Sequence, residues 1–438
     1  MSNSLIFGAI ADDYTGGSDL AGMLAQQGVR TVQLLGLPSE SLVSDLAGRY
    51  QAAVFCLKSR SIPAPQACEM SLRAFELLQR LAPAQVEFKY CSTFDSTPEG
   101  NIGPVTAALM DGLGADFTVA IPALPVNGRT QYYGYLYVGS LLLSDSHMRH
   151  HPLNPMTEPN LVRHLQRQTE RKVGLIPLPV VRQGREAVLA HIDRLKADGV
   201  RIALVDAIED SDLCHAAEAI VDLPLITGGS GIAEKLPPIW KRRGLLAGQR
   251  PAPPKLEASP GTLVLSGSCS AATLAQLDDL ARRGHSGIAI DVPALLRDSG
   301  AEIERCSDAA AGRIHATGLG LVYSSAAPET RESLLAEARR LGRAPEEVPQ
   351  AIECAMGRIA RRIVDRHRIA RVVVAGGETS GAVVDALEIP AVEVLDILDP
   401  GVPALFALGS RPMGLALKSG NFGSIDFFDK AVRYLEAM

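Results

Sequence analysis

Short apolar runs of strand length alternate with helix-length amphipathic segments along almost the whole chain, and this alternation restricts the fold more than any single motif does. It is the pattern of α/β domains built on mainly parallel sheets. The first repeat is plain: Leu5 to Ile10 reads as a buried strand and "ADDYTGG" as a loop. Ser18 to Gln27 then reads as a helix closed by Gly28, and Thr31 to Leu35 as the next strand. Further strands are expected at Ala53 to Leu57, Val86 to Lys89, Phe117 to Ile121, Val173 to Ile176 and Ile202 to Val205.

The length of 438 residues suits about two to three domains, and a 47% hydrophobic content supplies their cores. Four prolines fall between Gly248 and Gly261 among small and polar residues, after which the alternation restarts. Proline removes backbone donors and favours extended chain. The expected division is therefore a first domain over 1–248, a proline-rich linker over 249–260 and a second domain over 261–438. Later in the second, Ile352, Ala355, Met356, Ile359 and Ile363 recur at helical spacing.

A formal net charge of −6 with scattered basic residues argues against a nucleic-acid surface and for a small-molecule ligand. The seven cysteines are widely spaced, odd in number and lack a C-x-x-C pair, so neither a disulfide framework nor a zinc cluster is expected and a reducing cytoplasm fits. No basic leader is read at the N-terminus, and no apolar stretch reaches the roughly 18 residues of a membrane helix. The histidines of "HMRHHPLNP" (His147, His150, His151) have no acidic motif beside them, so no metal ligands are assigned.

Three stretches of the second domain share one design. "TLVLSGSCS" carries Ser266 and Ser268, "RVVVAGGETSG" carries Gly376, Gly377, Glu378 and Thr379, and "LALKSGNFGS" carries Lys418 and Gly420, each after an apolar run. Glycine lets a backbone approach phosphate oxygens, hydroxyls add donors, and helix N-termini present free N–H groups at the carboxyl ends of parallel strands. Each loop alone is equally a capped strand-to-helix turn. There is neither a P-loop lysine nor a G-x-G-x-x-G, which disfavours a nicotinamide dehydrogenase.

In the first domain, Asp12 and Asp13 directly follow the first strand. Adjacent carboxylates repel unless a ligand or a basic partner uses them, although a capping turn is the plainer alternative. "FKYCSTFDSTPEGNIGP" offers Lys89, Asp95, Ser96, Thr97 and Asn101, a density of donors and acceptors that suits a polyhydroxylated carboxylate. Asn127 and Arg129 follow another strand, and "CLKSRS" supplies Ser59 and Arg60. Arginine can grip a carboxylate with two parallel bonds.

The ordered set "ADDYTGGSD", "STFDSTPEGNIG", "PALPVNGRT", "LSGSCS", "AGGETSG" and "LKSGNFGSIDFF" resembles the four-carbon acid sugar kinase family over nearly the whole chain. The form "KYCSTFDSTPEGNIG" is similar to the branch acting on 3-oxo-tetronate, whereas threonate and erythronate kinases tend to have a basic residue in place of Glu99 and a shorter segment before Asp95. The resemblance implies an N-terminal substrate domain, a C-terminal nucleotide domain and an active-site cleft between them. It also implies a cytoplasmic phosphotransferase that uses ATP and Mg2+ to phosphorylate the terminal 4-hydroxyl of a four-carbon acid. A threonate or erythronate 4-kinase and a non-catalytic sensor of sugar acid and nucleotide are the alternatives.

By that resemblance Ser266, Gly376, Gly377, Glu378, Thr379 and Gly420 would hold the nucleotide, with Glu378 open to a metal-water contact. Asp13 is expected to orient and deprotonate the acceptor hydroxyl, with Asp12 and Asp95 as rivals. Lys89, Ser96, Thr97, Asn127, Arg129 and Arg60 would bind the substrate. The expected partners are a sugar acid and ATP, without nucleic acid or membrane, and assembly into a homo-oligomer is left open.

Overall fold

The structure is a computed structural model describing residues 5–151, 153–246, 254–256, 258–324, 338–344 and 347–438. The chain divides into two compact units, Met1–Arg250 and Pro251–Met438. Half of the expected linker over 249–260 lies outside the described residues.

The strands of the first unit are β1 (Phe7–Ala11), β2 (Thr31–Leu35), β3 (Ala52–Cys56), β4 (Gln85–Lys89), β5 (Thr118–Ile121), β6 (Arg129–Tyr132), β7 (Tyr135–Val138), β8 (Leu141–Leu142), β9 (Val173–Ile176), β10 (Ile202–Val205) and β11 (Leu225–Gly228). Eight of them form a wholly parallel sheet in the order β2-β3-β1-β4-β11-β5-β10-β9. β1, β3 and β4 are buried at every position, as strands covered by helices on both faces must be. The chain runs from β1 to one side through β2 and β3, then crosses to β4 on the other, so the strand order reverses between β1 and β4. Crevices at the carboxyl ends of such reversals are the usual ligand sites of open α/β sheets. β6, β7 and β8 form a separate antiparallel meander that the strand-and-helix alternation does not suggest.

The second unit holds β12 (Thr262–Ser266), β13 (Ile288–Ala289), β14 (Leu319–Tyr323), β15 (Arg371–Ala375), β16 (Ala391–Asp399), β17 (Val402–Leu408) and β18 (Met413–Lys418), in the order β13-β14-β12-β15-β18-β17-β16. The first five in that order are parallel, while β17 pairs antiparallel with β18 and with β16. A second reversal of strand order falls between β12 and β15. Val264, Leu321, Val373 and Ala416 meet Phe427, Phe428 and Leu435 of the helix Phe427–Glu436 in the core beneath it.

Several elements begin elsewhere than the sequence suggests. The first helix starts at Tyr14, not Ser18, because Asp13 caps it with Oδ1 accepting from the Gly16 N–H. The helix expected around Ile352–Ile363 extends over Glu347–His367. Among the described residues no helix is long and apolar enough to cross a membrane. All seven cysteines are free thiols.

Candidate active site: two strand-end clusters

In the first unit, the ends of β1, β3 and β4 are laced together by backbone bonds: Asp12 N–H donates to the Lys89 carbonyl at 3.0 Å, and Ser59 N–H to the Asp12 carbonyl at 2.9 Å. This lacing brings Asp12, Asp13, Arg60 and Lys89 to one place. The Arg60 guanidinium grips Asp12 with Nε to Oδ2 at 3.0 Å and Nη2 to Oδ1 at 2.7 Å, and also reaches Asp13 Oδ1 at 2.6 Å. Nε and Nη2 are thereby engaged by the two aspartates, which relieves the repulsion expected between adjacent carboxylates, while Nη1 makes no hydrogen bond among the described residues. Asp12 is buried, with burial pushing its carboxyl up against the pull of Arg60, and the aspartates in turn hold Arg60 firmly charged. Asn101 secures the loop bearing Arg60 by donating from Nδ2 to the Ser59, Arg60 and Ile62 carbonyls at 2.7, 3.2 and 3.3 Å.

Asp13 differs from Asp12 in one respect. Its Oδ1 takes the helix cap and Arg60, while Oδ2 receives no hydrogen bond among the described residues, and the side chain is 28% exposed. Lys89 is buried, and among the described residues Nζ donates only to the Tyr90 carbonyl at 2.8 Å, leaving two donors unused there. Gly16 separates the two: a Cβ there would collide with Asp13 Oδ1 and lie 2.9 Å from Lys89 Nζ. Two residues earlier on the same face of β4, Glu87 is fully buried with neither carboxyl oxygen bonded among the described residues, and burial pushes it up to about 8, toward its neutral form, against the pull of Lys89. Sequence reasoning missed Gly16 and Glu87, although the polar residues Gln85, Glu87 and Lys89 at every second position mark that face.

The loop after β4 holds the next group. Asp95 is buried with Oδ1 unbonded among the described residues, and His151 Nδ1 lies 3.8 Å from it. Ser96 Oγ accepts from Gln168 Nε2 at 3.0 Å, and the Thr97 carbonyl accepts from the same nitrogen at 2.6 Å. The Ser96 carbonyl can only accept, so His164 Nε2 donates to it at 2.8 Å, and burial pulls that imidazole toward its neutral form. Asn127 ends a short turn, where its carbonyl accepts from Arg129 Nη1, and Arg129 opens β6 with a buried, unbonded Nε. Among the described residues no hydrogen bond joins Asp95, Ser96, Thr97, Asn127 or Arg129 to the Asp12–Asp13 pair.

In the second unit all three glycine and serine loops leave neighbouring parallel strands at one level, since Ser266 is in register with Ala375 and Ala375 with Lys418. Gly267 N–H donates to the Ala375 carbonyl at 3.0 Å and Gly376 N–H to the Lys418 carbonyl at 2.9 Å, so the loops are stitched side by side. Side chains at their glycines are excluded. A Cβ on Gly267 would collide with Thr379 Oγ1, and one on Gly420 with Ser268 Oγ; Gly376 has φ +124°. The helix Gly377–Ala386 starts directly at this edge, with the orphan N–H groups of its first turn. Beside it, Ser266 Oγ is fully buried with no hydrogen-bond partner among the described residues.

Close backbone approach, hydroxyls, an orphaned buried oxygen and a helix N-terminus fit a polyphosphate. Glu378 is exposed in that first turn, and its charge helps to raise the Glu353 carboxyl, after burial. Among the described residues no group of three or more His, Cys, Asp or Glu side chains is placed to hold a metal ion.

Comparison with known proteins agrees with this division. Residues 7–236 match a family model described as a sugar-binding N-terminal domain, and residues 263–428 one described as a nucleotide-binding C-terminal domain. A curated protein of Cupriavidus necator named 3-oxo-tetronate kinase is 46% identical over 435 residues, covering 98% of this chain and 97% of its own. One of the same name from Burkholderia multivorans is 46% identical over 431 residues, again covering 98% and 97%. The crystal structure of a Salmonella typhimurium LT2 protein, provisionally described as a tRNA synthase, matches with a TM-score of 0.86 at 39% identity over 98% of this chain and 99% of that one. The chain belongs to the four-carbon acid sugar kinase family and groups with members named 3-oxo-tetronate kinase.

Proposed function

We propose that this chain is an ATP-dependent kinase that phosphorylates the 4-hydroxyl of 3-oxo-tetronate. The observation carrying the reading is full-length similarity to relatives named 3-oxo-tetronate kinase, at 46% identity over 98% of the chain. The strand-end clusters supply what such a reaction needs: positioning, charge neutralisation and a modest base.

In the first unit Asp13 takes the proton of the acceptor hydroxyl, because Oδ2 is its free and accessible oxygen, while Asp12 is locked by Arg60. Arg60 orders the aspartates through Nε and Nη2 and keeps Nη1 for a substrate oxygen. Lys89, with two unused donors, and Arg129 bind the substrate carboxylate, and Ser96, Thr97 and Asn127 bind its oxygens. Asp95 stands as the rival base. In the second unit Ser266, Gly376 to Thr379 and Gly420 hold the nucleotide phosphates, consistent with the crowded glycines and the orphaned Ser266 hydroxyl. Magnesium, when bound with ATP, neutralises phosphate oxygens, and Glu378 is the carboxylate of these loops that can reach a metal-bound water. A cytoplasmic location accords with seven free thiols.

The test is an ADP-release assay with 3-oxo-tetronate set against D- and L-threonate and D- and L-erythronate. 3-Oxo-tetronate should give the highest kcat/KM. Faster turnover of threonate would reassign the substrate, and binding without ADP release from any of them would leave a sensor.

A further inference from the structure

Lys418 closes β18 and is buried, yet no carboxylate faces it. Its three donors go to neutral oxygens: Thr273 Oγ1 at 2.9 Å, the Ser419 carbonyl at 3.2 Å and the Gly420 carbonyl at 3.0 Å. The Gly420 carbonyl also accepts from Ser270 Oγ at 2.6 Å and Thr273 Oγ1 at 2.8 Å. Three donors, one of them charged, therefore converge on a single carbonyl. In a trans peptide the following N–H points the opposite way, so drawing the Gly420 oxygen inward turns the Asn421 N–H outward. Among the described residues no backbone bond uses that N–H, and Asn421 is exposed.

We propose that Lys418 is a positioning residue for the nucleotide: it clamps the Gly420 carbonyl inward, aims the Asn421 N–H at the polyphosphate and keeps an unpartnered positive charge directly behind that loop. The inference rests on the nucleotide site proposed above and adds to it a residue that touches no phosphate. Burial pulls the ammonium down to about 8. Charged groups on the surrounding elements are engaged or turned elsewhere. Asp279 pairs with Arg283 and Arg282, Asp429 with Arg283 and Arg433, and Lys430 with Asp399. Arg371 stands at the far end of β15, Glu378 acts on Glu353, and Asp278, Asp385 and Glu436 are exposed. The Phe427 ring lies 5.8 Å from Nζ.

A charge made costly by burial should be restored by a bound polyanion. Near pH 8.5 the free protein holds Lys418 partly neutral; ATP raises its proton affinity, and binding takes up a proton. The experiment is isothermal titration of the full-length protein with ATP and magnesium at pH 8.5, in buffers of different ionisation enthalpy. Wild type should show net proton uptake. Lys418→Met should show none and bind ATP roughly 10- to 100-fold more weakly, with the affinity for 3-oxo-tetronate unchanged.

Circular dichroism of Lys418→Met confirms that the variant is folded, and the wild-type measurement stands alone if it is not. Wild-type ATP binding without proton uptake overturns the inference and leaves the nucleotide site intact. Wild type that fails to bind ATP at all overturns both.

Discussion

Asp13 illustrates how one residue combines a structural and a chemical role. Its Oδ1 caps a helix and meets Arg60, while Oδ2 stays open. Replacing it with Asn keeps a good cap and removes the base, whereas Ala would also cost the cap about 1 kcal/mol. Asp13→Asn should therefore lower kcat by about 10²- to 10⁴-fold and leave the ATP dissociation constant nearly unchanged. Steady-state kinetics with 3-oxo-tetronate and calorimetry with ATP measure the two; near-normal turnover would transfer the role to Asp95. The residue types at this site were legible, as an acidic pair beside basic candidates, but their pairing was not. Arg60 and Asp12 are 48 positions apart and meet only because β1 and β3 are neighbours. Lys418 was likewise visible as a phosphate candidate, while the carbonyls that absorb its donors become apparent only in three dimensions.

At the scale of elements, the parallel strands were legible because each is a short, largely buried apolar run: β2, β9 and β10 fall where the sequence places them. Strand direction was less so, since a buried run reads alike either way and only the connector length decides. Two residues, Pro400 and Gly401 with φ +75°, join β16 to β17 and impose the antiparallel hairpin. Tyr133 and Gly134 do the same for β6 and β7, at φ +47° and +78°. Their N–H groups are held by the distant Asp206 carboxylate at 2.6 and 2.9 Å, a contact no local pattern reveals. The glycine loops are elements of the same kind, whose spacing depends on atoms from other strands. Gly420→Ala would push a methyl into Ser268 Oγ and should raise the KM for ATP about tenfold, a cost in the range of strained backbone and close contacts. Removing that hydroxyl leaves the nearest atoms at 3.3 Å, so Gly420→Ala with Ser268→Ala should recover most of the loss. A double variant no better than Gly420→Ala would mean that the loops do not control each other's geometry.

For the molecule as a whole, each unit builds its cluster where the order of its own sheet reverses, between β1 and β4 in one and between β12 and β15 in the other. The sequence announced two such units through the proline-rich break and the restarted alternation, but the reversals depend on strand order, which no run of residues records. One property of the whole chain bears on the provisional tRNA synthase description of the Salmonella relative. Binding to a nucleic acid gains most of its strength from neutralising phosphates with lysine and arginine, and weakens steeply with salt. A formal net charge of −6 places this chain on the wrong side of that balance, and many of its arginines are already engaged by carboxylates, as Arg182, Arg243 and Arg283 are. At 150 mM salt, bulk tRNA should therefore bind no tighter than the weak end of non-specific complexes, about 10⁻⁴ M. ADP release with 3-oxo-tetronate should be the same with tRNA added or after ribonuclease treatment. Fluorescence anisotropy of labelled tRNA and the coupled assay read the two outcomes, and saturable submicromolar binding or tRNA-dependent turnover would show that surface charge here misjudges the partner.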